Sequence, residues 1–154
     1  MDNINKISSF RGDYYFLSNF YEAPIYYDGI CYKNSEAAFQ AQKCSQDADR
    51  FKFASLTAAE SKKLGRQIKL RSDWDQIKVA VMKDIIYAKF TQNPDLLEKL
   101  LKTNDAYLEE GNTWGDRIWG TVNGSGANLL GQILMSLRED FLSNKNKSTN
   151  RWVW

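Results

Sequence analysis

The spacing of apolar residues changes once along this chain, and that change limits the folds open to it. In the first third, Ala23 to Tyr27 and Ile30 to Tyr32 read as short strands flanking Asp28-Gly29, the two-residue signal for a tight hairpin turn. From Ser35 onward the spacing turns helical, with a first helix predicted from about Ser35 to Cys44. Ile77, Val81, Ile85 and Ala88 recur at helical intervals between Asp73 and Phe90, which predicts a core helix there. Leu130, Ile133, Leu134, Leu137 and Phe141 form one apolar stripe from about Asn128 to Leu142. Local signals mark further boundaries. Thr57-Ala58-Ala59-Glu60 has capping-box spacing, with Gly65 as a C-terminal stop. Asn93-Pro94 puts proline at a first helical position, where its missing N–H costs nothing. The expected fold is a mainly helical α+β domain with a small antiparallel sheet.

A length of 154 residues suits one domain, and neither an internal repeat nor a linker interrupts it. Ser143 to Asn150 is polar and basic without apolar periodicity, and reads as an unstructured tail. It runs into Arg151-Trp152-Val153-Trp154, whose two tryptophans could fold back onto the body. The expected organisation is a domain over 1–142 and a tail over 143–154. Met1 to Lys6 lacks the basic-then-apolar pattern of a signal peptide. No apolar run approaches the ~18 residues that cross a bilayer, so a soluble cytoplasmic protein without a membrane partner is expected. The net charge of +2 is too small to imply polyanion binding from composition alone.

Histidine is absent from the chain, which removes the Ser-His-Asp triad, the Cys-His pair, an imidazole base and His-ligated zinc. Cys31 and Cys44 are the only thiols, too few for a four-thiolate metal site or a disulfide framework, and they are expected to be reduced, small buried hydrophobes. Acid-base or covalent chemistry therefore falls to Asp, Glu, Lys, Tyr or Cys.

Three segments depart from ordinary packing patterns. From Phe10 to Tyr21, six of twelve residues are aromatic, and Arg11 and Asn19 stand among them. Such rings suit a heterocyclic base that stacks while its edge is hydrogen-bonded; they equally suit a core. In Ser35 to Lys43, the residues Glu36, Gln40 and Lys43 lie at i, i+4 and i+7, on one helical face. A carboxylate and an amine so placed can address two atoms of one sugar, and a solvated polar face has the same spacing. Six of the nine glycines fall between Gly111 and Gly131, in a loop carrying Trp114, Asp116 and Trp119. That loop opens onto the N-terminus of the last helix, where unpaired N–H groups and the helix dipole favour an anion such as phosphate. It is neither a dinucleotide fingerprint, since Leu129 holds the third glycine position, nor a P-loop.

Taken in order, these segments resemble the YbiA-like, or NADAR, family. The matching residues are Phe16-Leu17-Ser18-Asn19-Phe20-Tyr21, then Gly29 and Tyr32 ahead of Glu36, Phe39-Gln40-Ala41 and Lys43. They continue through Leu64-Gly65-Arg66, Arg71, Asp73-Trp74, Met82, Lys89-Phe90 and Leu100-Leu101. Trp114-Gly115-Asp116, Trp119-Gly120, Gly126, Asn128-Leu129-Leu130-Gly131, Leu134-Met135 and Arg138 close the match, over roughly residues 8 to 141. Family members often carry His where this chain has Ala37.

The resemblance implies a single YbiA-like domain with N-glycosidase activity, cleaving between ribose C1 and nitrogen. It implies removal of ADP-ribose from guanine in nucleic acid, paired in function with an ADP-ribosyltransferase. An alternative is hydrolysis of phosphoribosylamino-pyrimidine intermediates of riboflavin synthesis. A non-catalytic reader of ADP-ribose or NAD would use the same walls. For the glycosidase, a carboxylate near the anomeric carbon stabilises the positive charge left on the sugar, and Glu36 is the first choice. Lys43 either donates a proton to the leaving base or attacks C1 and passes through a Schiff base; the resemblance favours the covalent route. Asp116 is the candidate second carboxylate, for ribose hydroxyls or water. Asn19, Phe20, Trp114 and Trp119 would hold base or ribose, with Arg11, Ser18, Gln40 and Asn128 also in the substrate site. Gly120 and Gly126 would let phosphate approach the backbone. Neither a metal nor a redox cofactor is called for.

Overall fold

The computed structural model describes residues 4–151. β1 (Lys6–Ile7) leads through a 3₁₀ segment, Gly12–Leu17, to the hairpin β2 (Glu22–Tyr27) and β3 (Ile30–Asn34). Then follow α1 (Ser35–Ala41), α2 (Asp47–Phe51), α3 (Ala58–Gly65), α4 (Trp74–Gln92), α5 (Pro94–Leu101), β4 (Tyr107–Leu108) and α6 (Leu129–Arg151). The fold is mainly helical with a small antiparallel sheet, as expected. The chain forms two compact units: a continuous one, Tyr15–Pro94, and a discontinuous one, Met1–Tyr14 with Asp95–Trp154.

In the continuous unit the hairpin turns where the sequence placed it. Asp28 and Gly29 both have positive φ, 49° and 89°, the conformation that twists a two-residue turn to match its strands. Ala23, Ile25 and Tyr32 point inward, while Glu22, Pro24 and Tyr26 face outward. The outer edge of β2 is covered by a side chain: Gln92 accepts from Tyr26 N–H at 2.7 Å and donates to its carbonyl at 2.8 Å. α1 packs on α3, α4 and both strands, and its alanines 37, 38 and 41 are fully buried. The capping box at α3 is complete, with Thr57 Oγ1 accepting from Glu60 N–H and the Glu60 carboxylate from Thr57 N–H.

Several expectations need correction here. α1 ends at Ala41, before Cys44. Gly65 does close α3, and it also makes room for a neighbour: a Cβ there would lie 2.0 Å from Gln40 Oε1, so a larger residue would have to displace the Gln40 side chain. On α4 the buried face is Trp74, Met82, Ile85, Ile86, Lys89 and Phe90. Ile77, Val81 and Ala88 flank it half-buried, because a charged residue, Lys89, occupies a core position that apolar counting passes over. Cys44 is buried, but Cys31 is exposed on an outward-facing strand position.

In the discontinuous unit β1 pairs with β4 in parallel, Lys6 with Tyr107 and Ile7 with Leu108. Neither strand was visible in the sequence, being two residues long and far apart in it. α5 starts as predicted with Pro94, the last residue of the continuous unit, and the rest of it, from Asp95, belongs here. α6 buries Leu130, Ile133, Leu134 and Leu137, with Phe141 half-buried. It runs on to Arg151, through residues expected to be unstructured: without Gly or Pro after Gly131, propagation adds one hydrogen bond per residue. Trp152 to Trp154, and so the docking expected of them, lie outside the described residues. Among the described residues, no helix is long and apolar enough to cross a membrane.

Candidate active site

Of the polar face predicted for Glu36, Gln40 and Lys43, the first two lie one turn apart on α1, while Lys43 falls in the turn beyond the helix end at Ala41. Asn34 caps the helix, accepting from Ala37 N–H at 2.7 Å while donating to Glu22 and to the Leu56 carbonyl. One turn on, Gln40 Nε2 donates to Glu36 Oε2 at 3.3 Å. Beyond Ala41 the chain tightens, with Lys43 N–H returning to the Gln40 carbonyl at 3.1 Å. This turn leaves Lys43 half-buried. Burial lowers its pKa below the usual lysine value; the Glu36 carboxylate opposes that shift, and Arg66 and Lys78 add to it. A lysine so perturbed is neutral, and hence nucleophilic, in a larger fraction of molecules near neutral pH.

Of Ser18, Asn19 and Phe20, it is Asn19 that reaches the start of this helix. The Asn19 carbonyl accepts from Glu36 N–H at 3.1 Å, and its Oδ1 accepts from Ser35 Oγ at 2.9 Å. Asn19 is buried, and its amide nitrogen lies 3.5 Å from Met82 Sδ, so it fastens α1 to the preceding loop. Ser18 Oγ accepts from Phe20 N–H. The half-buried Phe20 ring carries Lys62 Nζ 5.9 Å from its centroid, within cation–π reach. Of the aromatic segment, Phe10 and Phe16 are core, Phe20 and Tyr21 are half-buried, and Tyr15 is exposed.

Asp116, Trp114, Trp119, Gly120, Gly126 and Asn128 belong to the discontinuous unit, on the loop between β4 and α6. Asp116 Oδ1 accepts from Ile118 N–H at 3.0 Å and Trp119 N–H at 2.9 Å, so one carboxylate oxygen shapes the turn. Asn112 ties the same turn from below, donating to the Asp116 and Thr121 carbonyls. Asn128 is buried and fully occupied: its side chain accepts from Glu110 N–H and donates to the Leu108 carbonyl and Tyr107 hydroxyl. A Cβ on Gly120 would lie 2.1 Å from the Glu110 carbonyl, and one on Gly126 2.5 Å from the Gly120 carbonyl. These glycines therefore admit neighbouring backbone, where phosphate was expected.

The anion seat expected at the start of α6 is also filled. Leu129 and Leu130 N–H donate to the carbonyls of Ile118 and Trp119, at 3.1 and 3.0 Å. Helix-start donors need partners, and here the loop supplies them. Trp114 is 53% exposed and Trp119 half-buried on that loop. Arg11 is exposed, its carbonyl accepting from Tyr14 N–H.

The NADAR domain matches residues 8–142. This chain belongs to the NADAR family. N-glycosidase YbiA of Escherichia coli K12 is 36% identical over 148 residues, 94% of this chain and 92% of that protein. An N-glycosidase of Nostoc punctiforme is 38% identical over 131 residues, 80% of this chain and 83% of that protein. A riboflavin biosynthesis protein of Vibrio vulnificus is 40% identical over 129 residues, and there the match spans only 35% of the longer relative. The NMR structure of E. coli YbiA matches with a TM-score of 0.80 and 36% identity, over 94% of this chain and 88% of that one. The NADAR match draws on both compact units.

One group of this NADAR domain had no functional reading in the sequence. Lys89 is fully buried, and its Nζ donates to the carbonyls of Phe16 at 2.7 Å and Ser18 at 2.9 Å. The rings of Phe90 and Tyr21 lie 5.3 and 5.9 Å from it. Burial lowers its pKa to about 7. Its sequence signal was position: a lysine seven residues after Met82 and four after Ile85, on the apolar face of α4.

Proposed function

We propose that this chain removes ADP-ribose from guanine in nucleic acid by hydrolysing the bond between ribose C1 and the base nitrogen. At the coarser level it is an N-glycosidase, a hydrolase acting on N-glycosyl compounds. The observation that carries the mechanism is Glu36 on α1, tethered by Gln40, with Lys43 half-buried in the turn after the helix, its pKa lowered and its amine feeling the Glu36 carboxylate.

In the proposed route, neutral Lys43 Nζ attacks C1 and the C1–N bond to the base breaks. The base leaves with the electron pair and takes up a proton, balanced by the one lost from the lysine nitrogen. The Glu36 carboxylate offsets positive charge on the sugar as the bond opens. Opening of the ribose ring gives a Schiff base. Water adds to it, the carbinolamine collapses, and the sugar aldehyde departs and recloses while Lys43 returns to its amine. The sum is substrate plus water giving free base plus ADP-ribose. Asp116 is assigned to ribose hydroxyls or water on the strength of the family resemblance.

The family resemblance supports the ADP-ribosyl substrate, and the half-buried Phe20 ring beside Lys62 suits a base or its ribose. A phosphoribosylamino-pyrimidine is the second reading, favoured by the name of the Vibrio vulnificus relative. Both substrates are to be assayed side by side with purified protein. Release of ADP-ribose from a modified guanine oligonucleotide, abolished in Lys43→Ala and cut to a small but measurable rate in Glu36→Gln, is expected. Turnover of the pyrimidine alone moves the assignment to the second reading, and binding without turnover makes the chain a reader. Borohydride should trap a substrate-dependent adduct that Lys43→Ala lacks; an adduct surviving in that variant refutes the covalent lysine.

A further inference from the structure

We infer that Lys89 is a positioning residue for Glu36, acting through the backbone from Phe16 to Asn19. The inference rests on the reading of Glu36 as the catalytic carboxylate.

Lys89 sits among Met82, Ile85, Ile86 and Phe90, a face on which methionine or leucine would fill the space without a buried amine. Burying an amine is costly unless its hydrogen bonds are used. Here they are used on backbone alone, at two carbonyls two residues apart, and burial is what lowers the amine's pKa. A neutral amine retains two N–H groups, so the two acceptors stay paired in either protonation state, but loss of the charge weakens both bonds and loosens the segment they hold.

The placement of those carbonyls matters. The Ser18 carbonyl lies in the same rigid peptide plane as the Asn19 nitrogen. Fixing that plane leaves only the φ and ψ of Asn19 before the next carbonyl, which accepts from Glu36 N–H at 3.1 Å and from Ser35 Oγ at 3.3 Å. The segment is thus pinned to α4 at one end and to the first turn of α1 at the other. Glu36 is then located by its backbone through Asn19 and by its carboxylate through Gln40. Lys89 supplies rigidity where a loop would otherwise set the position of a reacting group.

The test is a double-mutant cycle of Lys89→Met and Glu36→Gln, with ADP-ribosylated guanine oligonucleotide or, if that is not turned over, the phosphoribosylamino-pyrimidine. Lys89→Met should lower kcat on the order of tenfold to a hundredfold with KM changed less than about threefold, and should cost nothing further in the Glu36→Gln background. Amide exchange of Glu36 should accelerate in Lys89→Met while Phe39 to Ala41 stay protected. An equal fold-loss in both backgrounds, an unchanged kcat, or uniformly faster exchange along α1 overturns the inference. If Lys89→Met does not fold, NMR titration of Lys43→Ala decides, since that variant lacks the neighbouring amine. The Glu36 amide shift should follow the Lys89 Cε midpoint, and a shift that ignores it refutes the coupling. Full activity of Glu36→Gln instead sinks the catalytic assignment, and the exchange and titration results still judge Lys89's hold on the Glu36 backbone.

Discussion

Lys89 and Gly65 show how far single residues here depend on distant partners. In the unfolded chain a lysine titrates near 10.5, whereas Lys89 in the fold titrates at about 7. Between those values the unfolded state binds more protons, so stability rises with pH through that window. Below about pH 7 the full cost of burying the charged amine is present, and it lifts as the amine deprotonates. The slope is at most about 1.4 kcal/mol per pH unit. Urea unfolding at pH 7, 8.5 and 10 should show wild-type protein gaining on Lys89→Met as pH rises; a constant difference means the buried amine titrates normally. Gly65→Ala makes a sterically direct prediction. The new methyl meets Gln40 Oε1 at 2.0 Å and must displace the partner of Glu36. Thermal unfolding should report a loss of about 1–3 kcal/mol, accompanied by lower turnover. If both are unchanged, Gln40 relocates without consequence for Glu36.

Among the elements, those whose ends are set by neighbouring residues were the readable ones. Asp28-Gly29, the Thr57 capping box and Pro94 act within four residues of themselves, and each is found where the sequence put it. β1 and β4 escaped notice because a two-residue strand has no period, and their pairing joins residues 6 and 107. The caps also differ in weight. Thr57→Ala removes an exposed cap and should cost about 1 kcal/mol. Asn34→Ala removes a fully buried side chain with bonds to Ala37, Glu22 and Leu56, and should cost about 2–4 kcal/mol. Denaturant melts of the two variants should rank them in that order. A reversal would mean that α1 holds its entry angle without Asn34. The face of α1 was legible for the same local reason: Glu36 and Gln40 meet because they are one turn apart.

For the whole molecule, the discontinuous unit is the part that local rules could not assemble. Asn5 and Ile7 carbonyls accept from Tyr107 and Glu109 N–H, both at 2.9 Å, so the first residues brace the strand ahead of the glycine-rich loop. Ile7→Ala, at a position 4% exposed, should cost about 2–4 kcal/mol and speed amide exchange at Tyr107, Glu109 and Gly111. Unchanged protection at those amides would show that β4 holds without its partner. The absence of histidine, the hairpin, the long helices and the Glu36–Gln40–Lys43 spacing could all be read from the chain, because composition and short-range geometry need no partner. What the loop groups do could not. The turn made by Asp116 Oδ1, the backbone crossings at Gly120 and Gly126, and the loop carbonyls that fill the start of α6 arise only once the loop has folded on itself. The same holds for the amines. Whether a lysine is an ordinary surface cation, a perturbed nucleophile such as Lys43 or a buried clamp such as Lys89 is a matter of desolvation, and the groups that exclude water from Lys89 include residues some seventy positions away along the chain.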